Sequence, residues 1–152
     1  MQVVERESGL KRVAESDSIP AKYLHAVECD DPAERKRWLW EAAQGGYIPA
    51  MCDYARECDD HEERKRLLRD AAHEGYVPAM YYYALECDDP CLRRRWLKRA
   101  AEAGYGPAFY QHGLECDDPN DRKRWLSQAV LDGYAPATQL PVLQSAVSMK
   151  PR

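Results

Sequence analysis

The stretch PAMYYYALECDDPCLRRRWLKRAAEAGYG, Pro78–Gly106, is one of four consecutive 29-residue units of a single design. The others run Pro20–Ile48, Pro49–Val77 and Pro107–Ala135. Each opens Pro-Ala, and each carries Glu-Cys-Asp-Asp near its middle, at Glu28–Asp31, Glu57–Asp60, Glu86–Asp89 and Glu115–Asp118. A basic trio follows (Arg35-Lys36-Arg37, Arg64-Lys65-Arg66, Arg93-Arg94-Arg95, Arg122-Lys123-Arg124), then Trp-Leu or Leu-Leu, and Gly-Tyr comes just before the last residue. Self-similarity at a fixed period of this length marks a repeat architecture, in which each unit buries its apolar face only against its neighbours.

Within a unit the pattern predicts helix, turn, helix. Pro78 suits a first helical turn, and Ala79, Tyr83 and Cys87 follow at steps of four along one face, so a first helix is expected to end near Asp88. Asp89 reads as the N-cap of a second helix with Pro90 at its first position. Trp96, Leu97, Ala100 and Ala101 form its apolar stripe; Gly104 supplies a left-handed stop and Tyr105 folds back on the last turn. Asp31 with Glu34, and Asp60 with Glu63, have capping-box spacing. The expected fold is all-α, an α-solenoid of stacked antiparallel helical hairpins.

The ends fit half-units. Leu10, Val13 and Ala14 align with Leu39, Ala42 and Ala43, which predicts a lone capping helix within 1–19. After Pro136-Ala137 the pattern dissolves, and 136–152 reads as a C-terminal cap with a helix over Pro141–Lys150. The whole chain, 1–152, is thus expected to be a single repeat domain with four repeats over 20–135.

Composition excludes several classes. The 152 residues are 45% hydrophobic and 32% charged with a net charge of −4, which suits a globular chain and argues against general affinity for nucleic acid or anionic membrane. No apolar run approaches the ~18 residues of a membrane span. Met1–Glu7 has neither a basic start nor an apolar stretch, so no secretion signal is expected; a cytoplasmic location follows, with cysteines as thiols.

The segment Trp96-Leu97-Lys98-Arg99-Ala100-Ala101-Glu102-Ala103-Gly104, with the next Pro-Ala and a small residue at Ala84 or Gly113, resembles the Sel-one-like repeat, a relative of the tetratricopeptide repeat. The resemblance covers roughly residues 20–137. It implies stacked helical hairpins that serve as adaptors in signalling or assembly complexes. Two departures stand out: the family's longer Gly-rich loop is cut to Asp-Asp-Pro, and the tyrosine usual near the end of its first helix is replaced by the recurring cysteine.

A cysteine ladder with one thiol per layer suits neither a disulfide nor zinc. Equivalent helices sit ~8–10 Å apart, whereas a disulfide needs Cα atoms within about 7 Å and zinc needs four sulfurs each about 2.3 Å from one ion. Cys29, Cys58, Cys87 and Cys116 are therefore expected as buried core residues of the first helix, Cys87–Cys91 as the only plausible bridge, and Cys52 on a different, exposed face. The first arginine of each trio (Arg35, Arg64, Arg93, Arg122) is expected to pair with acids such as Glu28, Glu57, Glu86 and Glu115 and to lock unit to unit. His25 and His112 share the slot of Tyr54 and Tyr83 and read as core-edge substitutes. No catalytic motif, metal set or cofactor signature appears, so no enzyme, metal or cofactor is expected.

Function is then sought where the units differ. The face of the first helix opposite the core, expected to line a concave side, carries Tyr23, Leu24 and Val27; Cys52, Asp53 and Arg56; Tyr81, Tyr82 and Leu85; and Tyr110, Gln111 and Leu114. Three tyrosines and two leucines in the last two repeats make an amphipathic strip, and tyrosine and arginine are the residue types enriched at binding hot spots. A protein or peptide partner is expected on this face. The alternatives are self-association into a homodimer and, further off, a thiol-based redox sensor.

Overall fold

The computed structural model describes residues 18–134 together with Arg12, and residues 18–134 form eight helices and no strand. The first and second helices of the four repeats alternate: α1 Ile19–Glu28, α2 Pro32–Gln44, α3 Ile48–Arg56, α4 His61–His73, α5 Val77–Leu85, α6 Pro90–Glu102, α7 Gly106–Glu115 and α8 Pro119–Leu131. The expected capping helices at the two ends lie outside the described residues. The chain divides into two compact units, with the boundary inside α5 at Ala79 and Met80. In the first unit α1 packs on α2, α2 on α3 and α3 on α4; in the second α6 packs on α7 and α7 on α8.

Each second helix is closed chemically at both ends. Asp31, Asp60, Asp89 and Asp118 are its N-caps, and their carboxylates accept backbone N–H groups of the first turn, as Asp60 does from Glu62 at 2.9 Å and Glu63 at 3.1 Å. At the foot, Gly46, Gly75, Gly104 and Gly133 have φ between 75° and 89°. The N–H of Gly104 bonds the Ala101 carbonyl (2.9 Å) and that of Tyr105 the Ala100 carbonyl (3.1 Å), a Schellman closure repeated in the other three units.

The first helices end earlier than expected, and the repeated cysteine leaves the helix. Helix α5 stops at Leu85, and Cys87 bonds back to Ala84 across a tightened last turn (3.1 Å). The reason is the cap that follows. Asp89 is extended (φ −74°, ψ 115°), as an N-cap and a residue before proline must be, so the chain has to leave the helix beforehand. Cys29 and Cys116 are extended as well and only half-buried, whereas Cys58 and Cys87 are buried. Over the turn, the thiol of Cys58 donates to Glu63 (3.6 Å) and that of Cys29 to Glu34 (3.8 Å). None of the six cysteines is in a disulfide, Cys87 and Cys91 included, and Cys91 is exposed.

Small residues set the close packing. Ala26, Ala42, Ala50, Ala55, Ala71 and Ala72 in the first unit, and Ala84, Ala100, Ala108 and Ala129 in the second, are almost fully buried beside Leu39, Leu68, Leu97 and Leu126. At Gly113, the counterpart of Ala26, Ala55 and Ala84, an added Cβ would come within 2.9 Å of Leu126 Cδ2. His25 and His112 are buried rather than edge residues (6% and 5% exposed). Each meets the tryptophan of its second helix edge-on, His25 on Trp38 at 5.3 Å and His112 on Trp125 at 5.2 Å, as Tyr83 meets Trp96 at 5.6 Å. The buried His112 Nδ1 has no hydrogen-bond partner, and burial, followed by the charge of Lys98, holds the ring below its ordinary value of 6.5.

Two outcomes follow for stability. Asp60→Ala is expected to cost about 1 kcal/mol by loss of the cap, and Gly104→Ala about 1–2 kcal/mol by strain at positive φ. Both should lower the urea midpoint without changing the slope. Because His112 binds its proton less readily folded than unfolded, its neutral form contributes stability above pH 6.5 that is lost as pH falls below that value. The drop in melting temperature between about pH 7.5 and about pH 5.5 should shrink in His112→Tyr, which places in this slot the side chain found at Tyr83.

Candidate functional site

The reversal at each glycine places a tyrosine beside the start of the first helix in the same repeat. Tyr23 lies against Tyr47 (5.0 Å between ring centroids), Tyr81 against Tyr105 (5.4 Å) and Tyr110 against Tyr134 (5.7 Å). All three first-helix tyrosines are thereby half-buried. They form a floor rather than the open strip expected from the sequence.

In the first unit this floor joins a polar cluster. The Tyr23 hydroxyl donates to Asp53 Oδ2 at 3.0 Å across from α1 to α3, and Arg56 reaches Asp53 Oδ1 at 3.7 Å. Burial, with the Asp53 bond second, pushes the Tyr23 phenol well above its ordinary range. Cys52, expected to be exposed, is 1% exposed. Its side chain is shorter than the tyrosines at the same place in the other repeats, and it lies beside Tyr76, the ring that follows Gly75. Burial and then the Asp53 charge push its thiol up to about 12. Burial likewise raises Cys58 and Cys116, which favours the thiol over the reactive thiolate. What stands open on this face is Leu24 (54%) and Val27 (57%), with Arg56 beside the cluster.

In the second unit Tyr81 packs edge-on to Tyr82 (5.3 Å), and burial raises the Tyr81 phenol, with Tyr134 and Tyr82 adding to it. Gln111 is not free for a ligand in this conformation, since its amide donates to Glu115 at 3.1 Å. On this face Leu85 (38%) and Leu114 (40%) are the open apolar residues. Beside Leu114, between the acidic turns of the third and fourth repeats, lies a groove of about 480 Å³ bounded by Arg93, Arg94, Glu115, Asp117 and Arg122.

The expected arginine–glutamate pairs are present within each unit and link consecutive repeats: Arg35 Nε to Glu57 at 3.0 Å and Arg93 Nε to Glu115 at 2.9 Å. A second set, not anticipated from the sequence, runs beside them. Lys36 holds Asp59 at 3.4 Å and Arg94 holds Asp117 at 3.1 Å. The signal for it was the first aspartate of each Glu-Cys-Asp-Asp, which caps no helix. With side chains from 24% to fully exposed, such pairs are worth roughly 0–1 kcal/mol each and serve register more than stability. Arg64 and Arg122 also bond the cysteine carbonyl of their own repeat, at 3.0 Å and 2.7 Å.

Among the described residues no group of three or more His, Cys, Asp or Glu side chains could hold a metal ion, and no helix is long and apolar enough to cross a membrane.

The sequence matches no family model and no curated protein. Among solved structures, the fold is similar to that of a Sel1 repeat protein from Oxalobacter formigenes, with a TM-score of 0.80 over 86% of this chain and 63% of that one at 17% identity. It is also similar to a protective antigen present in uropathogenic Escherichia coli strains and displaying an SLR fold, with a TM-score of 0.77 over 86% of this chain and 34% of that one at 15% identity. The chain spans less than two thirds of either protein. Its fold is that of the Sel1-like repeats, an all-α solenoid of helical hairpins.

Proposed function

We propose that the chain is a protein- or peptide-binding scaffold acting in the cytoplasm, without catalytic activity, and that the partner lies on the outward face of the first helices. The observation that carries this is the pair of aliphatic side chains each unit leaves open there: Leu24 and Val27 in the first, Leu85 and Leu114 in the second. Each pair stands beside half-buried tyrosine rings, so a partner's apolar side chain would meet a floor already ordered by its own tilted and edge-on ring contacts. In the first unit Asp53 and Arg56 add a charged pair that can set orientation. Tyr23, Tyr81, Tyr82 and Tyr110 then act as supports, and the leucines and Val27 as the contact.

Peptides selected against the chain from a random library test this. Binding is expected to fall about tenfold or more in Leu85→Glu with Leu114→Glu, as charge enters an apolar contact. It should be unchanged in the control Lys98→Glu on the exposed face of α6. The melts of both variants should stay close to that of the parent. Selected peptides that bind all variants alike would exclude this face. A stable dimer in light scattering that the leucine variant dissociates would move the same face to self-association.

A further inference from the structure

In each unit one basic pair is matched to two carboxylates of the following repeat. Arg35 and Lys36 take Glu57 and Asp59, and Arg93 and Arg94 take Glu115 and Asp117, at sequence separations of 22 and 23 residues. The acids are the first and third residues of Glu-Cys-Asp-Asp, presented where a first helix runs out. The chain therefore displays, twice, both a receptor and its ligand: adjacent basic residues on a second helix, and a Glu-x-Asp turn.

The fourth repeat carries the same basic pair, Arg122 and Lys123, on α8. The same intervals lead to Gln144 and Ala146, neither of which bears a charge. Among the described residues neither Arg122 nor Lys123 has a carboxylate partner; Arg122 donates through Nε and one terminal nitrogen to the Cys116 carbonyl, at 3.2 Å and 2.7 Å. Both side chains are exposed. Val130, one face-repeat beyond Lys123, is only half-buried, whereas its counterparts Ala43, Ala72 and Ala101 are buried. An apolar contact is thus open beside the unmatched charges.

We infer that Arg122 and Lys123 dock a Glu-x-Asp turn at the end of a helix in a partner protein, taking its two carboxylates as Arg93 and Arg94 take Glu115 and Asp117. The basic pair lies on α8, with Arg122 also bordering the groove beside Leu114; the Leu85→Glu with Leu114→Glu chain, which should keep this docking, tells the two surfaces apart. Ion pairs this exposed orient and steer more than they hold, so docking is strongly salt-dependent.

The probe is a fluorescent peptide copying Gly106–Asp118 with Cys116→Ser, titrated with the full chain at about 0.02 M ionic strength, where screening is weak. Binding is expected. It should fall about fivefold or more, within the range for two exposed pairs, when the peptide carries Glu115→Gln and Asp117→Asn. The same loss is expected when the chain carries Arg122→Glu and Lys123→Glu with its helical content and melt retained. That chain variant should recover binding to a peptide bearing Glu115→Arg and Asp117→Lys. The inference is overturned by no binding at low salt, by equal binding of both parent and neutralised peptides, or by failure of the charge swap. It is equally overturned if the chain alone forms a salt-sensitive dimer that Arg122→Glu with Lys123→Glu dissociates, which would make the occupant a second copy.

Discussion

The backbone must reverse twice in every 29 residues, and each reversal is enforced by local chemistry. At one, an aspartate held extended by the proline or helix start after it satisfies the free N–H groups of the second helix. At the other, a glycine at positive φ lets two orphan carbonyls be met from beyond the helix end. With helix lengths of 9–13 residues and these stops, the hairpin is close to determined before any side chain packs. The alanine layers then allow the helices to approach closely, and Gly113 shows how little room remains.

The same stops organise the surface. Each tyrosine that follows a capping glycine lies where the first helix of its repeat begins, so it backs that helix's fourth-position side chain. Tyrosine there gives a tilted ring pair; cysteine, as at Cys52, lies low and is covered. The open aliphatic residues occupy the next positions around the helix. A feature set by backbone closure thus decides which side chains remain for a partner. The acidic turn works in a comparable way, one aspartate capping its own second helix while the glutamate and first aspartate reach the basic pair of the preceding repeat.

Much of this was legible in the residues because it is local. Asp89, Pro90, Gly104 and Tyr105 each act over one or two turns of chain, so type and spacing suffice to place them. The end of the first helix was read about three residues too late, because its period continues through Cys87 while the extended geometry required at Asp89 stops it sooner. How deep each side chain of the first helices lies was not legible: Cys52, expected on an open face, is 1% exposed. Tyr81 and Tyr110 are half-covered by Tyr105 and Tyr134, partners 24 residues away in sequence.

The sequence by itself determined the helix-turn-helix unit, its capping aspartates and glycines and the all-α class, since periodicity and capping are properties of short segments. Only the tertiary structure decided the burial of Cys52, His25 and His112, the choice of Asp59 and Asp117 as acceptors for Lys36 and Arg94, and the reduction of the tyrosine strip to a floor beneath a few open aliphatic residues. Those outcomes depend on distances between neighbouring helices. A side chain's depth and its charge partner are set by what the adjacent helix places opposite it, and one repeat read alone contains no record of that.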